Sequence, residues 1–134
     1  MIQIQEIKFK RRQFLKHDYE IISNNHFIGE IEFIKRNNIF FIKWLSIHPG
    51  YRNNHYGYKV IEHILSHYKV KCIIGETLPE SRGFWNKCIY KYNGQRKNIH
   101  YANDCTSSFV IPRYDISQEQ LYEYLYDLYN PSWW

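Results

Sequence analysis

No stretch of this sequence approaches the apolar length that crosses a bilayer, and Met1 to Phe9 lacks the hydrophobic centre of an export signal. A cytoplasmic protein with no membrane partner is the expectation. Cysteine is scarce: Cys72, Cys88 and Cys105 are an odd three, at spacings that match no metal or redox motif. That excludes a disulfide framework and leaves reduced, partly buried thiols. There is no internal repeat, linker or low-complexity segment. Ser81 and Cys88 lack an identifiable set of His and acid partners, so nothing suggests a hydrolase. His63 and His67 lie four apart, the spacing of two zinc ligands on a helix, but no Glu follows His63 and no third ligand is evident. The pair reads as solvent-facing, and no metal is expected.

The 134 residues suffice for one domain, 1–134, with a sizeable core, and not for two. With 44% hydrophobic and 19% aromatic residues, disorder is excluded and the core should be aromatic. Eighteen Lys and Arg against thirteen Asp and Glu give a formal charge of +5, which suits anionic partners such as a coenzyme's phosphates or nucleic acid.

Along the chain, apolar residues at 2 and 4 shift phase to 7 and 9, so Ile2 to Phe9 reads as a short strand with a bulge. Lys8, Lys10, Arg11, Arg12 and Lys16 cluster around Phe14 and Leu15. This is read as a solvated turn or short helix, with contact to RNA or an acidic acceptor as the alternative. Tyr19 to Ile22 and the alternating Phe27, Gly29, Ile31 and Phe33 predict a hairpin about Ser23-Asn24-Asn25-His26. After the turn Arg36-Asn37-Asn38, Ile39 to Ile47 is nearly continuously apolar, the pattern of a strand buried on both faces. Val60, Ile61, Ile64, Leu65 and Tyr68 recur at helical spacing, and Val70 to Thr77 is a fifth strand. Strand, helix and strand at this spacing imply a right-handed crossover between parallel strands. Leu78-Pro79-Glu80-Ser81 should open a second helix, striped by Phe84, Trp85, Cys88, Ile89 and Tyr92 and stopped by Asn93-Gly94. Asn98 to Tyr101 and Ser108 to Ile111 complete the sheet. Gln118 to Tyr129 reads as a closing helix before the aromatic tail that ends at Trp133 and Trp134.

The stretch from Leu45 to Leu65 organises the rest. An apolar strand breaks at Pro49, passes through a basic, Asn-rich turn and becomes an amphipathic helix. Such a helix points unpaired backbone N–H groups and the positive end of its dipole at whatever occupies the loop, and phosphate is the usual occupant.

At Arg52-Asn53-Asn54-His55-Tyr56-Gly57 the sequence resembles the GCN5-related N-acetyltransferases, the GNAT family, whose signature is Arg/Gln-x-x-Gly-x-Gly/Ala between the fourth strand and the next helix. LSIHPGYR before it and YKVIEHIL after it strengthen the likeness, which covers roughly Tyr19 to Ile111. His55 departs from the pattern by replacing its first glycine. The resemblance implies a mixed, mostly antiparallel α/β sheet of six or seven strands with a central parallel strand-helix-strand crossover and a shortened N-terminal helical region. The core would be residues 19–111, with the helix and tail at 115–134. It further implies acetyl-coenzyme A (acetyl-CoA) as cosubstrate. Arg52, Asn53, Asn54, His55, Tyr56, Gly57 and Tyr58 would lie at its pyrophosphate, Leu45, Ser46 and Ile47 along the pantetheine, and Trp85 on the helix beside it.

The activity implied is transfer of an acetyl group to a primary amine by direct attack. Only Lys10 to Asp18 stands where the family has two helices, so the acceptor side should be open, suiting a protein, peptide or RNA end, unless a second subunit or the tail covers it. No carboxylate or histidine lies between Ile39 and Ile47, where the family's base is usual, which leaves Glu76 as the candidate base. Trp85 stands where a tyrosine often protonates the thiolate, and an indole cannot act as that acid; Tyr90 and Tyr92 are the remaining candidates. The alternative is a catalytically silent binding module, either an acyl-CoA sensor or a basic nucleic-acid-binding protein using the same loop.

Overall fold

Two asparagines set the first hairpin. Asn24 and Asn25 both adopt positive φ, 50° and 66°, the left-handed pair that a two-residue turn needs and that asparagine tolerates better than most side chains. They join β2 (Tyr19–Ser23) to β3 (His26–Arg36), with Ser23 opposite His26 and Glu20 opposite Glu30. A register shift between Ile21 and Ile22 marks a bulge. The computed structural model describes residues 7–12, 18–36, 38–52, 55–77, 81–101, 104–117 and 119–120.

The other elements are β1 (Ile7–Arg11), β4 (Ile39–Ile47), a 3-10 turn at Pro49–Tyr51, α1 (Tyr56–His67), β5 (Cys72–Thr77), α2 (Arg82–Lys91), β6 (Gln95–Tyr101) and β7 (Asp104–Pro112). The seven strands follow the order β1-β2-β3-β4-β5-β7-β6 in one sheet. β1/β2, β2/β3, β5/β7 and β6/β7 are antiparallel, and β4-α1-β5 is the parallel crossover unit. This is the mixed α/β architecture expected. Among the described residues no helix is long and apolar enough to cross a membrane.

The chain divides into two compact units, Met1–Ile34 with Ile42–Tyr68, and Lys35–Phe41 with Lys69–Trp134. In the first, Val60, Ile61 and Ile64 are the buried stripe of α1, and Ile7, Ile21, Ile28, Ile31 and Ile42 are buried strand residues. Phe9 packs on Phe33 at 5.8 Å and edge-on to His63 at 5.0 Å, while Tyr19 stacks on Phe33 at 4.8 Å. The buried side chains of the described residues are mostly isoleucine, with Phe40, Phe41, Trp85 and Phe109 as the aromatic minority, so the core is less aromatic than expected. The ring cluster is half-buried and includes His63, which sequence periodicity had placed toward solvent. Burial, and then the neighbouring His67, lower the pKa of that imidazole.

In the second unit β7 pairs with β5 from Cys72↔Pro112 to Thr77↔Ser107 and with β6 on its other edge. Trp85 and Cys88 are the buried face of α2. The helix ends as Asn93-Gly94 predicted: Asn93 takes φ 55°, and Gly94 N–H donates to the Ile89 carbonyl at 2.8 Å. A Cβ on Gly94 would collide with the Val110 carbonyl, so close approach requires glycine here.

Several boundaries differ from expectation. β1 begins at Ile7 and runs to Arg11, so Lys10 and Arg11 belong to a strand rather than to a turn or helix; Ile2 to Glu6 lies outside the described residues. α2 begins at Arg82, with no acid in its first turn and no side-chain cap from Ser81; Leu78, Pro79 and Glu80, expected to open it, lie outside the described residues. The fourth strand is buried only from Ile39 to Ile42, Lys43 being exposed and Trp44 to Ile47 half-buried. Cys72 and Cys88 are free and buried. The closing helix and aromatic tail fall almost wholly outside the described residues, as does the segment between Arg12 and Asp18.

Candidate functional site

The loop after β4 is tied at its base. His48 N–H donates to the Ile28 carbonyl at 2.7 Å, Tyr51 N–H to the His48 carbonyl at 2.9 Å, and Arg52 Nε to the Ile47 carbonyl at 2.8 Å. A Cβ on Gly29 would strike the Ser46 carbonyl, so β3 must be glycine where it passes the end of β4. Leu45, Ser46 and Ile47 remain half-buried. The exposed Arg52 thus folds back over the strand end, and Asn53 and Asn54 lie outside the described residues.

His55 is the N-cap of α1 and adopts the left-handed conformation, φ 61° and ψ 16°. This is the position at which the family pattern has glycine. The backbone keeps the glycine-like geometry although the residue has a Cβ, at a cost of about 1–2 kcal/mol. The ring stacks on Tyr58 at 5.9 Å. Gly57 is the second residue of α1, and no described glycine has positive φ, so the backbone itself does not demand glycine there. Gly57 is half-buried. His55 supplies no side-chain hydrogen bond to that turn, and no acidic residue stands in it. Lys59 Nζ lies 4.8 Å over the Tyr56 ring, whose edge meets Tyr51 at 5.8 Å. Oriented amides, the helix dipole and two basic side chains therefore share one sign.

In the second unit Glu76 is the penultimate residue of β5, opposite Ser108 on β7. It is half-buried, and burial raises its carboxyl above the ordinary value. Trp85, expected beside the coenzyme, is 4% exposed and stacked on Phe109, a core position. Tyr90 is 89% exposed. Tyr92 caps α2, its N–H donating to the Cys88 carbonyl at 2.9 Å.

The histidine pair is a packing feature. His63 and His67 stack at 4.4 Å, and His67 Nδ1 lies 3.1 Å from Ser66 Oγ and 3.3 Å from the His63 carbonyl. Among the described residues no group of three or more His, Cys, Asp or Glu could hold a metal.

Sequence reasoning missed Glu20. Its side chain is 3% exposed; Oε1 meets Arg12 Nη2 at 2.6 Å, and Oε2 is buried without a hydrogen-bond partner. Glu30 stands directly across from it. The ten-residue separation signals nothing by itself; only the register of a hairpin turning at Asn24-Asn25 pairs the two.

No protein-family model matches the sequence, and no curated protein matches it. Solved structures do resemble it. Diaminobutyrate acetyltransferase from Paenibacillus lautus, in complex with L-2,4-diaminobutyric acid and coenzyme A, superposes with a TM-score of 0.56 at 10% identity, over 74% of this chain and 71% of that one. GCN5 from Tetrahymena gives 0.54 at 14% identity over 74% and 69%. A GNAT-family acetyltransferase from Bacillus anthracis gives 0.50 at 19% identity over 71% and 65%. The chain spans between 65% and 71% of the length of these three, and it has the GNAT acyl-CoA N-acyltransferase fold.

Proposed function

We propose that this chain is an acetyl-CoA-dependent N-acetyltransferase. The observation that carries the reading is the end of β4. A helix start with no side-chain cap from His55 and no acidic residue in its first turn, a left-handed His55 where the pattern has glycine, and Gly57 in that turn come after the half-buried strand end and its loop. In this reading the first-turn amides, Arg52, Asn53, Asn54, His55, Tyr56, Gly57 and Tyr58 hold the pyrophosphate, and the backbone of Leu45 to Ile47 pairs with the pantetheine. Two facts support it: the sign of the loop's charges, and the fold shared with coenzyme A-bound enzymes.

The chemistry is positioning followed by proton transfer. An ammonium acceptor loses a proton, its nitrogen attacks the thioester carbon, and the C–S bond breaks as the amide forms. The thiolate leaves and takes up a proton. Glu76 is assigned as the base, because burial raises its proton affinity toward neutrality. Tyr92, half-buried at the end of α2, is preferred for the acid over Tyr90, which stands almost wholly in solvent.

Calorimetry with acetyl-CoA, coenzyme A and an RNA oligomer, followed by thiol release with amine acceptors, tests this reading. The expected result is coenzyme binding and amine-dependent release of coenzyme A. Coenzyme binding with no turnover would instead favour a sensor, and RNA binding without coenzyme binding a nucleic-acid module.

A further inference from the structure

We propose that the tip of the β2–β3 hairpin and the loop after β4 together form a binding surface for single-stranded RNA. The surface borders the loop assigned to the coenzyme, but its central rings, His26 and Tyr51, have no part in the acetyl-transfer reading, and the inference does not rest on that reading.

The distribution of charge singles the surface out. No Asp or Glu occurs from Ile21 to Gly29 or from Phe33 to Ile61, although the chain has thirteen. These acid-free segments meet within the first unit: His48 N–H donates to the Ile28 carbonyl at 2.7 Å, and a Cβ on Gly29 would strike the Ser46 carbonyl. Where they meet, Arg52 is exposed and Lys59 half-buried. Neither segment supplies a carboxylate to offset these cations, so the local field is positive. A phosphodiester strand gains from such a field by releasing its own counterions.

The rings specify an unpaired strand. His26 is exposed at the hairpin tip, with its centroid 6.5 Å from that of Tyr51 and its plane tilted by 40°. Tyr51 meets Tyr56 edge-on at 5.8 Å, and Lys59 Nζ lies 4.8 Å over the Tyr56 ring. Neither ring contact is the flat, face-covering stack that Trp85 makes on Phe109. Rings in a row beside cations hold single strands by stacking the bases and tracking the phosphates. A duplex keeps its base faces internal, whereas RNA offers open bases in its loops and ends. A protein partner fits less well, because among the described residues large apolar exposure at this surface is confined to Phe27, which is 37% exposed and turned against His48.

Fluorescence anisotropy on the full chain tests the surface, using a labelled oligouridylate of about eight nucleotides at about 0.1 M salt, alone and paired with its complement. The single strand should bind, and more tightly than the duplex. His26→Ala and Tyr51→Ala should each weaken binding by about fivefold to a hundredfold, the range for one stacked base, while Tyr51→Phe keeps the ring and the affinity. Both alanine variants should bind coenzyme A as the unmutated chain does. No binding of the oligomer, equal or tighter binding of the duplex, or an affinity that both alanine variants leave unchanged would each overturn the surface. So would a loss of RNA and coenzyme A binding together in both variants, which would mark a collapsed loop instead of lost stacking. Failure of the acetyl-transfer reading has a different signature: the unmutated chain binds no coenzyme A, whatever its affinity for RNA.

Discussion

Trp85 lies flat on Phe109, with ring centroids 3.9 Å apart and planes 18° from parallel, and both side chains are buried. The contact joins α2 to the middle of β7, so the tryptophan is a packing residue of the second unit. Trp85→Ala should lower stability by about 3–5 kcal/mol, as removal of a buried aromatic does. Trp85→Phe should recover most of it. Urea unfolding measures both, and a Trp85→Ala variant of full stability that no longer binds coenzyme A would return the residue to the coenzyme site.

Gly57→Glu adds a side chain and a like charge where phosphate is assigned, and should abolish coenzyme A binding while the circular dichroism spectrum stays unchanged. Arg52→Ala should weaken binding less, since an exposed cation contributes less than a set of oriented amides. It also removes the Arg52 tie to the Ile47 carbonyl. Calorimetry distinguishes the two, and equal binding by the unmutated and Gly57→Glu forms would displace the site.

As the proposed base Glu76 must be ionised, and burial holds its pKa above the ordinary carboxylate value. The rate should therefore fall on acidification at a pH higher than a solvated glutamate would give. Glu76→Gln should lower kcat by roughly a hundredfold or more, leave coenzyme affinity nearly unchanged and remove that limb of the profile. An unchanged rate would take Glu76 out of the mechanism.

His63 loses hydration against Phe9 and lies next to His67, so its pKa is lower in the folded state than in the unfolded chain. Between those two values the unfolded chain binds more protons, and stability rises with pH. Acidification from just above the ordinary imidazole range should consequently lower the thermal midpoint. His63→Phe should flatten this dependence, which scans at a series of pH values would record.

Cys72 and Cys88 are buried, and burial pushes the Cys88 thiol up to about 12. Thiolate is the reactive form, so Cys88 should resist alkylation at pH 8 in the folded protein and react once unfolded. Mass spectrometry of the unfolded chain without reductant should find three modified cysteines; an intramolecular disulfide would contradict the reduced state.

Much of the fold was legible because its signals are local. The 3.6-residue spacing of Val60, Ile61 and Ile64, the Asn24-Asn25 turn and the Asn93-Gly94 stop act within a few residues, and each appears where the sequence put it. The strand from Ile39 to Ile47 matches to the residue. The strand-loop-helix unit was equally readable, because its break at Pro49 and its helical period adjoin in sequence.

What tertiary structure alone decided concerns partners distant along the chain. Periodicity assigned Trp85 to an apolar stripe, but only the arrival of Phe109 made it core. His63 reads as polar on a helical wheel, yet Phe9 on another element buries it. The basic run at Lys10 and Arg11 became strand because β2 offers it a ladder, pairing overriding local composition. Glu20 and Glu30 are two ordinary carboxylates in the sequence, and strand register, a non-local property, made them neighbours and left one oxygen without a donor.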